Sequence, residues 1–309
     1  MTTPIQTETA QIVTVRERKK SGSLSRFFRL LWKSKVGTIG LLIMAAIVFV
    51  AVFAGAIAPH DPVKTNVSKR LLPPMWLEKG NSDYPLGTDN LGRDVLSRII
   101  YGSQVSLIVG IFAVMLAGVI GGVLGLVSGY YGGWIDAIIM RTVDAFLAIP
   151  SMLLMLIILF VMGPSLGTLI FTLGITNWVK YARIIRGEVL SMKERDFVKA
   201  SRTVGASDAR IIFTHILPNV TSSFIVVSTI SVAAAIISEA SLSFLGLGVQ
   251  PPTVSWGGML SDGRQYLATS WWVATFPGIA ITITVLGIIF LGDWIRDVLD
   301  PKMKAKGSK

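Results

Sequence analysis

Few residues in this chain are spaced to do chemistry. It has no cysteine, and its two histidines, His60 and His215, lie far apart, so neither a disulfide framework nor a metal-ligand cluster is expected. No G-x-x-x-x-G-K-S/T loop is present to cradle nucleotide phosphates, and neither H-E-x-x-H nor a G-x-S-x-G elbow occurs. Catalytic residues, metals and cofactors are therefore all expected to be absent. Three polar features remain. Asp89, Asn90 and Asp94 hint at a calcium loop but miss the D-x-D/N-x-D/N-G spacing. The stronger reading is a helix capped by Thr88 or Asp89, with Val95, Ile99 and Ile100 on its buried face. Glu239 is the one acid well inside an apolar run; it either faces a substrate path or is held structurally by Ser241 or Ser243, and both readings stand.

The third feature is the polar stretch DFVKASRTVGASDARIIFTHILPN, residues 196–219. Ala200, Gly205 and Ala206 are small residues at which backbones can approach another surface. Ile211, Ile212 and Ile216 recur at helical spacing, with Arg210 and His215 on other faces. Ser207 or Asp208 can cap that helix, and Pro218 is expected to end it. The stretch reads as two short helices hinged at Gly205, with Ile211 and Ile212 as an apolar docking face. The plainer alternative is a basic loop obeying the positive-inside bias.

The elements around these residues are membrane spans. Apolar residues make up 52% of the 309 and charged ones 15%, far fewer than the roughly one quarter usual in soluble domains. The net charge of +11 sits in the N-terminal segment, the central loop and the tail, which is topology rather than nucleic-acid recognition. Residues 1–35 read as a basic cytoplasmic segment with an amphipathic helix around Phe27–Trp32 on the inner leaflet. Six spans follow within residues 36–292: about 37–58, 105–128, 143–162 (kinked at Pro150), 168–182, 220–245 and 271–291. Outer loops cover 60–103 and 246–270, the inner loop 183–219, and a cytoplasmic tail 293–309. Gly118, Gly121, Gly122, Gly125 and Gly129 give small-xxx-small spacings for close helix packing. Trp271 and Trp272 are placed at the membrane interface.

The stretch around Ala200, Gly205 and Ile216-Leu217-Pro218 resembles the EAA-type coupling loop of ABC importer permeases, with Lys199-Ala200-Ser201 where that family has Glu-Ala-Ala. The segments YPLGTDNLGRDVLSR, YYGGWIDAIIMRTVDAFLAIPSMLL, ISEASLSFLGLGVQPPTVSWGGML and FLGDWIRDVLDPK resemble, in order, the second permease subunit of dipeptide, oligopeptide and nickel ABC importers. The resemblance covers the chain from about residue 25 onward. It implies an all-α type I importer permease in the bacterial inner membrane with both termini cytoplasmic. The implied partners are a sister permease, two cytoplasmic ATPase subunits, a periplasmic or lipid-anchored solute-binding protein, membrane lipid and a peptide substrate. It further implies that Ala200, Ser201, Gly205, Ala206, Arg210, Ile211, Ile212, His215 and Pro218 belong to the ATPase-coupling element. Nickel or glutathione import, a secondary carrier and a membrane scaffold are the alternatives.

Overall fold

The computed structural model describes residue 31 and residues 34–299, and among these the regular elements are all helices. The expected amphipathic segment and the lysine-rich end of the tail lie outside the described residues. Helix α1 (Lys35–Val52) starts where the Ser34 hydroxyl accepts the Gly37 N–H at 3.2 Å. A break at Phe53 leaves a single further turn, α2 (Ala54–Ile57). A loop then leads to α3 (Val95–Tyr131), which at 37 residues is about 55 Å long and outreaches a bilayer core of about 30 Å.

The cap of α3 differs from expectation. Asp94 fills it, its carboxylate accepting the Ser97 N–H at 2.9 Å. Thr88 and Asp89 are occupied upstream: Thr88 accepts the Leu72 N–H at 2.9 Å, and Asp89 accepts those of Leu91 and Arg93 at 2.8 and 3.0 Å. They shape the loop, and the helix begins one turn later.

Only Gly132 separates α3 from α4 (Gly133–Leu147), which is followed by α5 (Ser151–Met162). The kink expected at Pro150 is a full break, with the two helices meeting at 86°, because Pro150 cannot donate the bond that would carry α4 onward and its predecessor is pushed out of the helical region. Helix α6 (Leu166–Lys193) opens on a reciprocal cap in which Thr168 N–H donates to Ser165 Oγ at 3.1 Å and Ser165 N–H to Thr168 Oγ1 at 2.9 Å. Then come α7 (Asp196–Thr203), α8 (Asp208–Ile211), a π-helical turn (Ile212–Ile216) and α9 (Leu217–Phe244). Helix α10 (Trp256–Gly263) and α11 (Trp272–Leu299) complete the chain.

Four of these helical runs are long and apolar enough to cross a membrane: α1, α3, the continuous Asp208–Phe244 and α11; the bent α4–α5 pair makes five. The remaining expected span forms the first half of α6, whose second half carries Lys180, Arg183 and Arg186. Pro218 does not end its helix. In the π turn, the Leu217 N–H reaches back to the Ile212 carbonyl, and the Asn219 side chain takes up the His215 carbonyl at 2.6 Å. The register slips by one residue and the proline is carried without a stop.

Close packing is concentrated between α3 and α6. A Cβ on Gly121 would lie 2.2 Å from the Trp178 carbonyl oxygen, and one on Gly125 2.6 Å from that of Ala182. Lipid tails are as apolar as leucine, so it is this backbone approach that holds the pair. Phe160 and Val161 on α5 remain 84% and 77% exposed, as lipid-facing or subunit-facing side chains can be.

Two further expectations change. Trp272 is no interface anchor: it is buried, its indole N–H donating to the Thr88 carbonyl at 3.1 Å, so it plugs the loop before α3 while Trp271 stays exposed. The tail expected from residue 293 begins as the last turns of α11, whose Trp294 is buried.

Candidate functional site

At one end of the bundle, α7 and α8 stand off the ends of α3 and α6. Helix α7 closes on Gly205, which has φ +82°. The Gly205 N–H donates to the Arg202 carbonyl and the Ala206 N–H to that of Ser201, both at 3.1 Å, and this crossed pair is the Schellman closure that a left-handed residue permits. Ser207 then caps α8, its hydroxyl accepting the Arg210 N–H at 3.4 Å. The expected pair of helices around Gly205 is therefore formed by terminator and starter signals only a residue apart. A Cβ on Gly205 would meet nothing within 4 Å, so substitution there costs conformation alone. Gly205→Asn should hold the closure and Gly205→Val should lose it, at about 1–2 kcal/mol. Hydrogen exchange of the α7 amides checks this: faster exchange in the valine variant only is the expected result.

The inner side of α7 and α8 is apolar. Val198, Ile211 and Ile216 pack with Tyr130, Ile185, Val189 and Val220, with Ala206 and Ile212 against them. Ile211 is 0% exposed, and Ile212 is half-buried. They do not form the expected docking face: the amphipathic stripe is spent on seating the loop against α3 and α6. The apolar side chains turned outward are Val204 (84% exposed), Phe213 (67%) and Phe197 (45%). Around them Ala200, Arg210 and Pro218 are exposed, and Ser201 Oγ lies 3.1 Å from His215 Nε2. Lys199, in the place of the expected glutamate, pairs with Glu194 at 2.9 Å on the surface, and this bond holds the Glu194 carboxyl below its ordinary range.

Polar contacts at this end converge on Tyr130, the penultimate residue of α3. Its hydroxyl donates to Asp208 Oδ1 at 2.6 Å and accepts from Arg202 at 3.4 Å, while its carbonyl accepts Lys193 Nζ at 2.6 Å. Beside it, Arg186 on α6 grips Asp136 on α4 by two bonds of 2.6 Å, and the Ser128 hydroxyl donates to the same carboxylate. No local spacing in the sequence signals this convergence, whose partners lie 78 and 72 residues from Tyr130.

The opposite end carries a second polar group. Asp89 Oδ2 accepts Arg93 at 2.6 Å and Arg98 at 2.5 Å, and both guanidiniums reach Asp262 on α10 at 3.1 and 3.4 Å. They border a cavity of about 540 Å³ shared with Gln250 and Ser255. Burying Asp89 between two arginines offsets its desolvation. The sequence reading singled out Asp89 but neither its pairing with Arg93 and Arg98 nor the partner Asp262. Glu239 is 0% exposed and accepts the Ser243 hydroxyl at 2.7 Å, not that of Ser241, which donates to the Ile237 carbonyl. Its side chain is buried within this chain, on the stretch of α9 whose Ala240 and Ser243 face Gly257 of α10.

The binding-protein-dependent transport system inner membrane component model matches residues 121–305, and the model of the N-terminal TM domain of oligopeptide transport permease C matches residues 23–74. The Dipeptide transport system permease protein DppC of Escherichia coli (strain K12) is 44% identical over 91% of this chain and 94% of the relative. The Di/tripeptide transport system permease protein DppC of Pseudomonas aeruginosa (strain UCBPP-PA14) is 43% identical over 91% and 93%. Among solved structures, the inward-facing MetNI methionine ABC transporter shares the fold at a TM-score of 0.54 and 21% identity, over 66% of this chain and 97% of that one. With its helical bundle, its α7–Gly205–α8 element and these matches together, the chain belongs to the binding-protein-dependent transport system inner membrane components, as an ABC importer permease of the type I fold.

Proposed function

We propose that this chain is one of two permease subunits of an ATP-driven importer of di- and oligopeptides. The observation that supports it most is the α7–Gly205–α8 element, an outward feature at one end of a membrane bundle with Val204, Phe213 and Phe197 left uncovered. Exposed apolar side chains on an element that also carries exposed Lys199, Arg202 and Arg210 suit a cleft on a soluble partner. In this reading that partner is a cytoplasmic ATPase, and the end bearing α7 faces the cytoplasm with the basic N-terminal segment and tail. The loop before α3 and α10 face outward, where a solute-binding protein delivers cargo. The chain performs no covalent step. Hydrolysis in the ATPase pair drives the permease pair between inward-open and outward-open states.

The peptide assignment rests on the peptide-named relatives. It is tested with the co-purified complex in lipid vesicles, its binding protein outside and ATP inside. Uptake of a labelled di- and tripeptide mixture, unaffected by excess nickel(II) or glutathione, is expected. Uptake of nickel or glutathione instead would move the assignment within the importer class. A chain that purifies without an ATPase would favour the scaffold or secondary-carrier alternatives.

A further inference from the structure

We propose that Tyr130 is the positioning residue through which motion of α7 and α8 reaches the long helix α3. The inference rests on the importer reading above. The seat of the two short helices is otherwise apolar, formed by Val198, Ile211 and Ile216. Such packing transmits compression but, being non-directional, fixes no register between the elements. Hydrogen bonds are directional, and among the described residues the side-chain hydrogen bonds from α7 and α8 to α3 all end on one group, the Tyr130 hydroxyl. It joins Arg202, before the Gly205 hinge, to Asp208, after it. The hydroxyl therefore ties both arms of the coupling element to α3 at once.

The rest of α3 is built to carry that contact away. Tyr130 is 2% exposed, so its ring is clamped, and its carbonyl is bound by Lys193 at the end of α6. From there α3 runs unbroken to Val95. Gly121, Gly125 and Gly129 bring it against the backbone of α6, so there the two helices are in close contact. At its far end sit Asp94, Arg98 and the ion pairs to Asp262. A shift at Tyr130 thus moves a two-helix lever whose other end touches α10, on the outer side.

The test is Tyr130→Phe in the full complex with both permeases and both ATPases. The ring and its packing stay; only the hydroxyl goes. The readout is the ratio of ATPase turnover with a binding protein supplied with a di- and tripeptide mixture to turnover without it. That ratio, and peptide uptake, should fall by about tenfold, the scale of a lost hydrogen bond to a charged group. Subunit stoichiometry and thermal midpoint should remain those of the wild type. Asp208→Ala should give the same fall, Asp208→Asn, which keeps an acceptor, a smaller one, and the Tyr130→Phe/Asp208→Ala double variant no more than either single. Wild-type stimulation in Tyr130→Phe, or a double variant whose losses multiply, would overturn the role. A wild-type complex with no stimulation to lose would contradict the import reading and this role with it.

Discussion

Gly121→Leu is expected to destabilise the assembled bundle strongly. The first added carbon would already lie 2.2 Å from the Trp178 carbonyl oxygen and 2.6 Å from Tyr181 Cβ, and backbone on a packed helix cannot step aside as a flexible side chain can. Overpacking costs about 1–3 kcal/mol in ordinary cores and more where nothing yields. We expect at least the upper figure, read as a fall in the thermal midpoint of the purified complex on the order of 10 °C. Gly187→Leu is the control: it lies on α6, the helix against which Gly121 packs, and a Cβ there meets nothing within 4 Å. Equal midpoints for the two variants would show that the approach of α3 to α6 is not what holds the bundle.

Val204→Asp and Phe213→Asp should separate the permease from its ATPase while leaving the permease itself folded. Both side chains are mostly exposed, so the isolated chain gains solvent-compatible groups and loses no core. In a docked complex the same carboxylates would be desolvated without a partner. Loss of one interface anchor is worth about 2 kcal/mol or more, or about thirtyfold in affinity. Co-purified ATPase per permease, measured in detergent across a dilution series, should fall accordingly. Ile211→Asp, by contrast, buries a charge in the apolar seat and should reduce the yield of folded permease itself.

The sequence made the fold readable because membrane helices are written in long uninterrupted apolar runs, and α1, α3, α9 and α11 each contain most of one. Gly205 was readable because a glycine between a helix-terminating and a helix-capping pattern has few other uses. What escaped was set by residues distant in sequence. Pro150 breaks a span and Pro218 does not, although both interrupt apolar helices; the difference is a π turn and the Asn219 side chain, which satisfy backbone groups near the second proline alone. Ile211 and Ile212 have the periodicity of a docking stripe, and periodicity cannot say which neighbour the stripe meets. Here it meets the permease's own α3 and α6. Asp262 and Tyr130 became functional candidates only once α10 and α8 were brought beside them.

The most direct test of the coupling assignment uses a property of the chain itself: it has no cysteine, so a single introduced thiol reports one position in this subunit. Val204→Cys, in the assembled complex with cysteine-free partners, would carry a short photoactivated cross-linker, beside Trp76→Cys on the exposed loop before α3. The account predicts that Val204→Cys joins the permease to an ATPase subunit and that its yield changes with nucleotide, whereas Trp76→Cys gives no ATPase adduct. An accessible thiol at position 204 that never reaches the ATPase, or an ATPase adduct from position 76, would contradict it.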